Sequence, residues 1–89
     1  MDIIENIENL LDEQNSKNTK IPVDLILSNG NISLKSFHVI DFDRNTGMIK
    51  GLTQQEEYSY VREYRDPVYC YFAIDEIKEM LVYEIAGMR

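Results

Sequence analysis

Positions 21–52 read IPVDLILSNGNISLKSFHVIDFDRNTGMIKGL, a stretch that two turn signals break into three parts. Ser28-Asn29-Gly30-Asn31 supplies the positive-φ residues of a tight hairpin, and Asp43-Arg44-Asn45-Thr46-Gly47 repeats the signal. The expectation is three consecutive antiparallel strands. In the first, Pro22 sits at the opening, where a missing N–H is tolerated, and Val23, Leu25 and Leu27 alternate with Asp24 and Ile26. The second part, 32–42, is long for one strand. Ile32 and Leu34 alternate with Ser33 and Lys35, but Phe37, Val39, Ile40 and Phe42 then occupy both parities. Such a change predicts a bulge or sharp bend that carries the strand from one sheet surface to another. Met48, Ile49 and Leu52 form the third strand.

The flanks complete a small, mainly β fold. Residues 2–14 place Ile3, Ile4, Ile7, Leu10 and Leu11 on one helical stripe, with Asp2 as N-cap and Glu5 three positions on. A helix this short is marginal alone, so the stripe needs a surface, and the end of the sheet supplies one. Residues 15–20 (NSKNTK) read as a linker, and 53–57 (TQQEE) as an exposed loop. Tyr58, Tyr60, Arg62 and Tyr64 then fall at period two in the run 58–64, which predicts a strand. After the turn Arg65-Asp66-Pro67, the run 68–74 (VYCYFAI) is the most apolar in the chain. There Val68, Cys70, Phe72 and Ile74 share the core face, with Tyr69 and Tyr71 opposite. The ending reads two ways: a helix over 75–87, or a 3-10 turn at Asp75-Glu76-Ile77 followed by a strand over 80–85.

Eighty-nine residues make one domain with one core. A chain this short buries only roughly 60–65% of its unfolded surface, so disulfides, a metal or self-association are the usual supports. One cysteine, Cys70, and one histidine, His38, leave neither an internal disulfide nor a zinc set, which points to a homo-oligomer in a reducing cytoplasm. No cofactor is expected. The acid-rich N-terminus reads as neither export signal nor membrane anchor. The net charge of −7 is unevenly spread: −5 over residues 1–15, +2 over 16–52 and −4 over 53–89. Overall acidity disfavours non-specific binding to a phosphate backbone, although a basic patch can persist in the middle segment.

Several features together resemble the small SH3-like barrels of the Sm/Hfq-like kind. They are Val23-x-Leu25 before the Asn29-Gly30 turn, Asp41-x-x-x-Asn45 after a long second strand, and Tyr71-Phe-Ala-Ile74-Asp-Glu-Ile77 before Met80-Leu-Val82. The resemblance covers about residues 2–85. It implies a five-stranded antiparallel barrel (21–85) behind an N-terminal helix, and it favours the strand over the helix at the C-terminus. It also implies base-contacting roles for Asp41 and Asn45. The Arg-Gly pair of such barrels is replaced by Asp75-Glu76, so nucleic acid is not expected as a partner. The stretch 40–49 is also similar to the turn of PRC-barrel domains, another small barrel used for interactions.

Candidate site residues come from the aromatics. Tyr60, Arg62, Tyr64, Tyr69 and Tyr71 fall in two runs joined by a three-residue turn, which predicts antiparallel neighbours with an outward tyrosine–arginine patch. Tyrosine and arginine are enriched at interface hot spots, and tyrosine also stacks on bases. Asp41-x-Asp43-x-Asn45 resembles the start of a calcium loop, but Thr46 stands at its sixth position and Leu52 at its twelfth, so an Asx-stabilised turn is expected. His38 has no acid, Ser or Cys partner in its sequence context, and no phosphate loop or nucleophile motif occurs. The expectation is a non-enzymatic module that self-associates and engages a protein partner. The alternatives are an Sm-like RNA ring, or an oligomeric sponge for a small nucleotide ligand. The Asn, Ile, Lys and Glu usage suits an AT-rich genome, and a compact acidic accessory protein suits a bacteriophage or mobile element.

Overall fold

The computed structural model of the chain describes residues 2–30 and 32–82. Helix α1 (Ile3–Lys17) is followed by strands β1 (Val23–Leu27), β2 (Ser33–Asp43) and β3 (Met48–Leu52). Helix α2 (Gln54–Arg62), strand β4 (Cys70–Ala73), a 3-10 turn (Ile74–Glu76) and strand β5 (Ile77–Val82) complete it. The strands form one antiparallel sheet in the order β4-β3-β2-β1-β5. The fold is therefore mainly β behind an N-terminal helix, as expected. The predicted strand over 80–85 is β5 as far as Val82, and its remainder lies outside the described residues. No described helix is long and apolar enough to cross a membrane.

Helix α1 begins where Asp2 accepts the Ile4 N–H at 3.2 Å. It runs three residues past the expected end, taking in Asn15, Ser16 and Lys17. Gln14 explains the extension. Its buried amide donates to the Val39 carbonyl and accepts from the Ile21 N–H, both at 2.9 Å, so the helix is pinned to the sheet near its C-terminus. The chain leaves at Asn18, in the left-handed region at φ 50°, and its N–H closes on the Asn15 carbonyl. The linker accordingly shrinks to residues 18–22.

The parity change in β2 comes from two bulges. Val23 pairs with Phe37 and Leu25 with Leu34, so Lys35 and Ser36 together face Asp24, and Ser36 takes φ 53°. Further on, Val39 pairs with Gly51 and Asp41 with Lys50, leaving Ile40 as an extra residue. Each bulge inverts the alternation, so Leu34, Phe37, Val39 and Phe42 all face or flank the core. The strand bends twice and takes the sheet round with it.

The core joins Ile7 and Leu10 of α1 to Val23, Leu25 and Leu27 of β1, Phe37 and Val39 of β2, Ile49 of β3 and Ile77 of β5. Phe37 meets Phe72 of β4 edge-on, at 5.7 Å between ring centroids. The terminal strands β4 and β5 are separated in sequence by only the 3-10 turn, so the sheet curls until its two ends adjoin. Ile74 N–H bonds the Gly47 carbonyl at 2.7 Å and Ser28 N–H bonds the Glu76 carbonyl at 2.8 Å, fixing that corner. No β4–β5 pairing occurs among the described residues, so the barrel is open.

Candidate functional site

Four expectations about the region between β3 and β4 are corrected. Residues 54–62 are helical, so the predicted loop over 53–57 and strand over 58–64 do not exist. Thr53 is the N-cap and its hydroxyl accepts the Glu56 N–H at 3.2 Å. Consequently Tyr60, Arg62 and Tyr64 are not cross-strand neighbours of Tyr69 and Tyr71, and the single tyrosine–arginine patch is dispersed. Tyr71 lies opposite Lys50 on β4 and is exposed. Arg62 is exposed at the end of α2, and Tyr64, at φ 53°, is 96% exposed beyond it. Val68, expected on the core face, is exposed before β4 begins, while Cys70, Phe72 and Ile74 do pack against the core.

Helix α2 is inverted in polarity. None of its residues is buried, and its large apolar side chains Tyr58 and Val61 are exposed. Its glutamates hold it down. Glu57 accepts from Lys20 Nζ at 3.2 and 3.3 Å, and its Oε2 lies 3.1 Å from His38 Nδ1. The histidine thus has the acid partner that sequence context did not offer. Glu56 takes the Arg65 guanidinium through both oxygens, at 2.6 and 3.1 Å, and accepts the Val68 N–H at 2.8 Å. Arg65 in turn reaches Glu63 at 2.8 Å.

The Arg65 fork, followed by the Val68 N–H, holds the Glu56 carboxyl down at about 2, from an ordinary value of 4.5. The unfolded chain takes up this proton near 4.5 and the folded chain only near 2. The contribution of Glu56 is therefore complete above 4.5 and is lost as pH falls towards 2. Urea unfolding of wild type and Glu56→Gln at several pH values should show a stability difference that is largest at pH 6–7 and shrinks between pH 5 and 2. A difference constant over that range would refute the assignment.

Between the C-terminal end of α1, the sheet and α2 lies an open groove of about 460 Å³. His38, Val39 and Leu52 form its floor, Lys20 and Asn18 one wall, and Glu57, Tyr60 and Tyr69 the other. Lys50 Nζ stands 4.2 Å from the centre of the Tyr69 ring, a cation–π contact that orients it. Of the expected site residues, then, Tyr60 and Tyr69 converge on one concavity. Asp41 and Asn45 lie elsewhere. Asp41 is exposed opposite Lys50, and Asn45 belongs to the turn, where its N–H bonds Asp43 Oδ1 at 2.9 Å. That is an Asx turn, as expected. Arg44 in the same turn forms a bidentate pair with Glu8 of α1, which holds the Glu8 carboxyl below the usual range. Among the described residues no cluster of three metal-ligating side chains occurs.

Comparison with protein-family models, with curated proteins and with solved structures returned no match.

Proposed function

We propose that the chain is a small, non-enzymatic interaction module of Sm/Hfq-like architecture that assembles with copies of itself and presents its outer surface to a protein partner. The observation that carries this reading is the pair of terminal strands at the opening of the sheet. Within the described residues β4 pairs only with β3, and β5 only with β1. Strand β4 has the sequence CYFA, with no charge, proline or glycine to blunt it. Exposed apolar side chains flank both edges: Val68 and Tyr71 beside β4, Leu81 and Val82 on β5. Among the described residues the two strands do not pair with each other, so each is offered to the complementary edge of another copy. Joining β4 of one copy to β5 of the next is a heterologous contact, which closes into a ring if the rotation allows. The exposed Tyr58 and Val61 of α2 remain outside that contact and suit a protein partner.

A heterologous contact has a distinctive test. Light scattering should give the wild type a mass at least twice that of one chain. Tyr71→Asp disables the β4 edge and Val82→Asp the β5 edge, and each variant alone should be monomeric. Mixed, the two should form a one-to-one dimer, because each still carries the edge that the other needs. A monomeric wild type at about 100 μM, where even weak interfaces associate, sinks the proposal. So does a mixture that stays monomeric.

A further inference from the structure

We infer that the groove between α1 and α2 is a binding site for a mononucleotide, whose phosphate replaces the Glu57 carboxylate on Lys20 and His38 while its base lies against Tyr60 and Tyr69. The geometry has three independent parts.

The first is a lysine and a histidine already holding an anion. Lys20 Nζ and His38 Nδ1 converge on one carboxylate at 3.1–3.3 Å, so Glu57 marks where an anionic oxygen sits between them. Lys20 and His38 come from residues 16–52, the segment of the sequence with a positive balance. The second is unused recognition capacity. Among the described residues, the hydroxyls of Tyr60 and Tyr69 and the side-chain amides of Asn15 and Asn18 make no hydrogen bond, and all four residues line the groove. Tyrosine rings take a base by stacking, and amides match its edge donors and acceptors. The volume of about 460 Å³ falls within the range of small-molecule sites.

The third part is the ease with which Glu57 can leave. Helix α2 buries none of its residues, and Glu56 ties it separately to Arg65 and the Val68 N–H, so withdrawing the Glu57 carboxylate breaks no buried apolar contact and leaves that second anchor in place. A phosphate monoester carries about −1.5 to −2 charge against −1 for the carboxylate and has three acceptor oxygens, so it is the stronger partner for the Lys20 ammonium and the imidazole beside it. Glu57 therefore acts as an internal competitor that keeps the site closed to weaker anions.

Competition gives the test an unusual sign: removing a charged group should improve binding. Calorimetry with AMP, GMP, CMP and UMP is run on wild type, Glu57→Gln, Lys20→Ala and Tyr69→Leu, with inorganic phosphate and adenosine as fragment controls. Circular dichroism verifies the fold of each variant. At least one nucleotide should bind, more tightly than either fragment. Glu57→Gln should tighten it about fivefold or more, and Lys20→Ala should weaken it about tenfold. Tyr69→Leu should weaken it about fivefold or more through lost stacking. No nucleotide binding to wild type or Glu57→Gln at millimolar concentration overturns the inference. Glu57→Gln binding that is unchanged or weaker does so too, as does a Tyr69→Leu variant that binds like wild type. Should Glu57→Gln fail to fold, the Lys20→Ala and Tyr69→Leu arms decide on the same criteria.

Discussion

Gly51→Ala is expected to cost about 3 kcal/mol, which for a chain of this size lowers the melting temperature by about 12–24 °C. Gly51 lies in the middle of the sheet, opposite Val39 of β2 on one side and Cys70 of β4 on the other. Its lack of a side chain lets the Phe37 ring lie across β3. A Cβ here would stand 2.5 Å from the His38 carbonyl oxygen and the Phe37 Cζ, and closer still to Phe37 Cε2. None of these can yield cheaply. The carbonyl belongs to the neighbouring strand, and the ring is fully buried with its edge contact to Phe72. Either the strands part or the aromatic pair breaks, which places the cost at the top of the overpacking range. Gly30→Ala is the control. Its added carbon meets nothing nearer than Ile32 Cγ1 at 3.9 Å, so only its φ of 74° counts, at about 1 kcal/mol. Thermal unfolding followed by circular dichroism separates the two. A loss below about 1 kcal/mol at Gly51 would show that the ring has somewhere else to go.

The strands and turns of 21–52 were legible because their information is local. Asn29-Gly30 and the Asp43–Gly47 turn carry their own conformational demands, and the parity change after Lys35 announces a bulge whatever surrounds it. Helix α2 is hidden in the sequence for a physical reason. Over so few residues a period of two and a period of 3.6 overlap, and Tyr60 and Tyr64 satisfy both. Tyrosine's strand preference then favours the strand. The contrary signal was present in Thr53-Gln54-Gln55-Glu56, a capping-box spacing that opens the helix. No apolar stripe supports that signal, because α2 turns glutamates inward and Tyr58 outward. Its attachment is by ion pairs to Lys20, His38 and Arg65, two of which are distant in sequence. Long-range pairs of this kind leave no periodicity. For the same reason the groove leaves no trace in the sequence: Tyr60 and Tyr69 stand out as aromatics, but Glu57, Lys20 and Gln14 join them only through the fold.

Asp24→Ala is expected to cost about 3 kcal/mol, because this carboxylate determines which way half of β2 faces. Asp24 is only 1% exposed, in the middle of β1. Its Oδ1 accepts the Ser36 N–H at 3.0 Å, and its Oδ2 takes Lys35 Nζ at 3.1 Å. Both partners belong to the bulge opposite, where Ser36 adopts a left-handed conformation that an L-residue avoids at a cost of about 1–2 kcal/mol. The bulge is what inverts the alternation between Leu34 and Phe37, so it places Phe37 in the core. Removing the carboxylate leaves the Ser36 N–H without this acceptor and the left-handed turn without its anchor. Asp24→Asn keeps an oxygen for the N–H and loses only the charge, so it should cost less, about 1–2 kcal/mol. Ser36→Gly removes the conformational strain and should be neutral or stabilising, the reverse of the usual effect of glycine within a strand. Lys35→Ala should cost under about 1 kcal/mol, since the lysine side chain is 70% exposed and its end of the pair is solvated. Urea unfolding of the four variants ranks them. Should Asp24→Ala cost no more than Lys35→Ala, the bulge is held by the packing of Phe37 and not by Asp24.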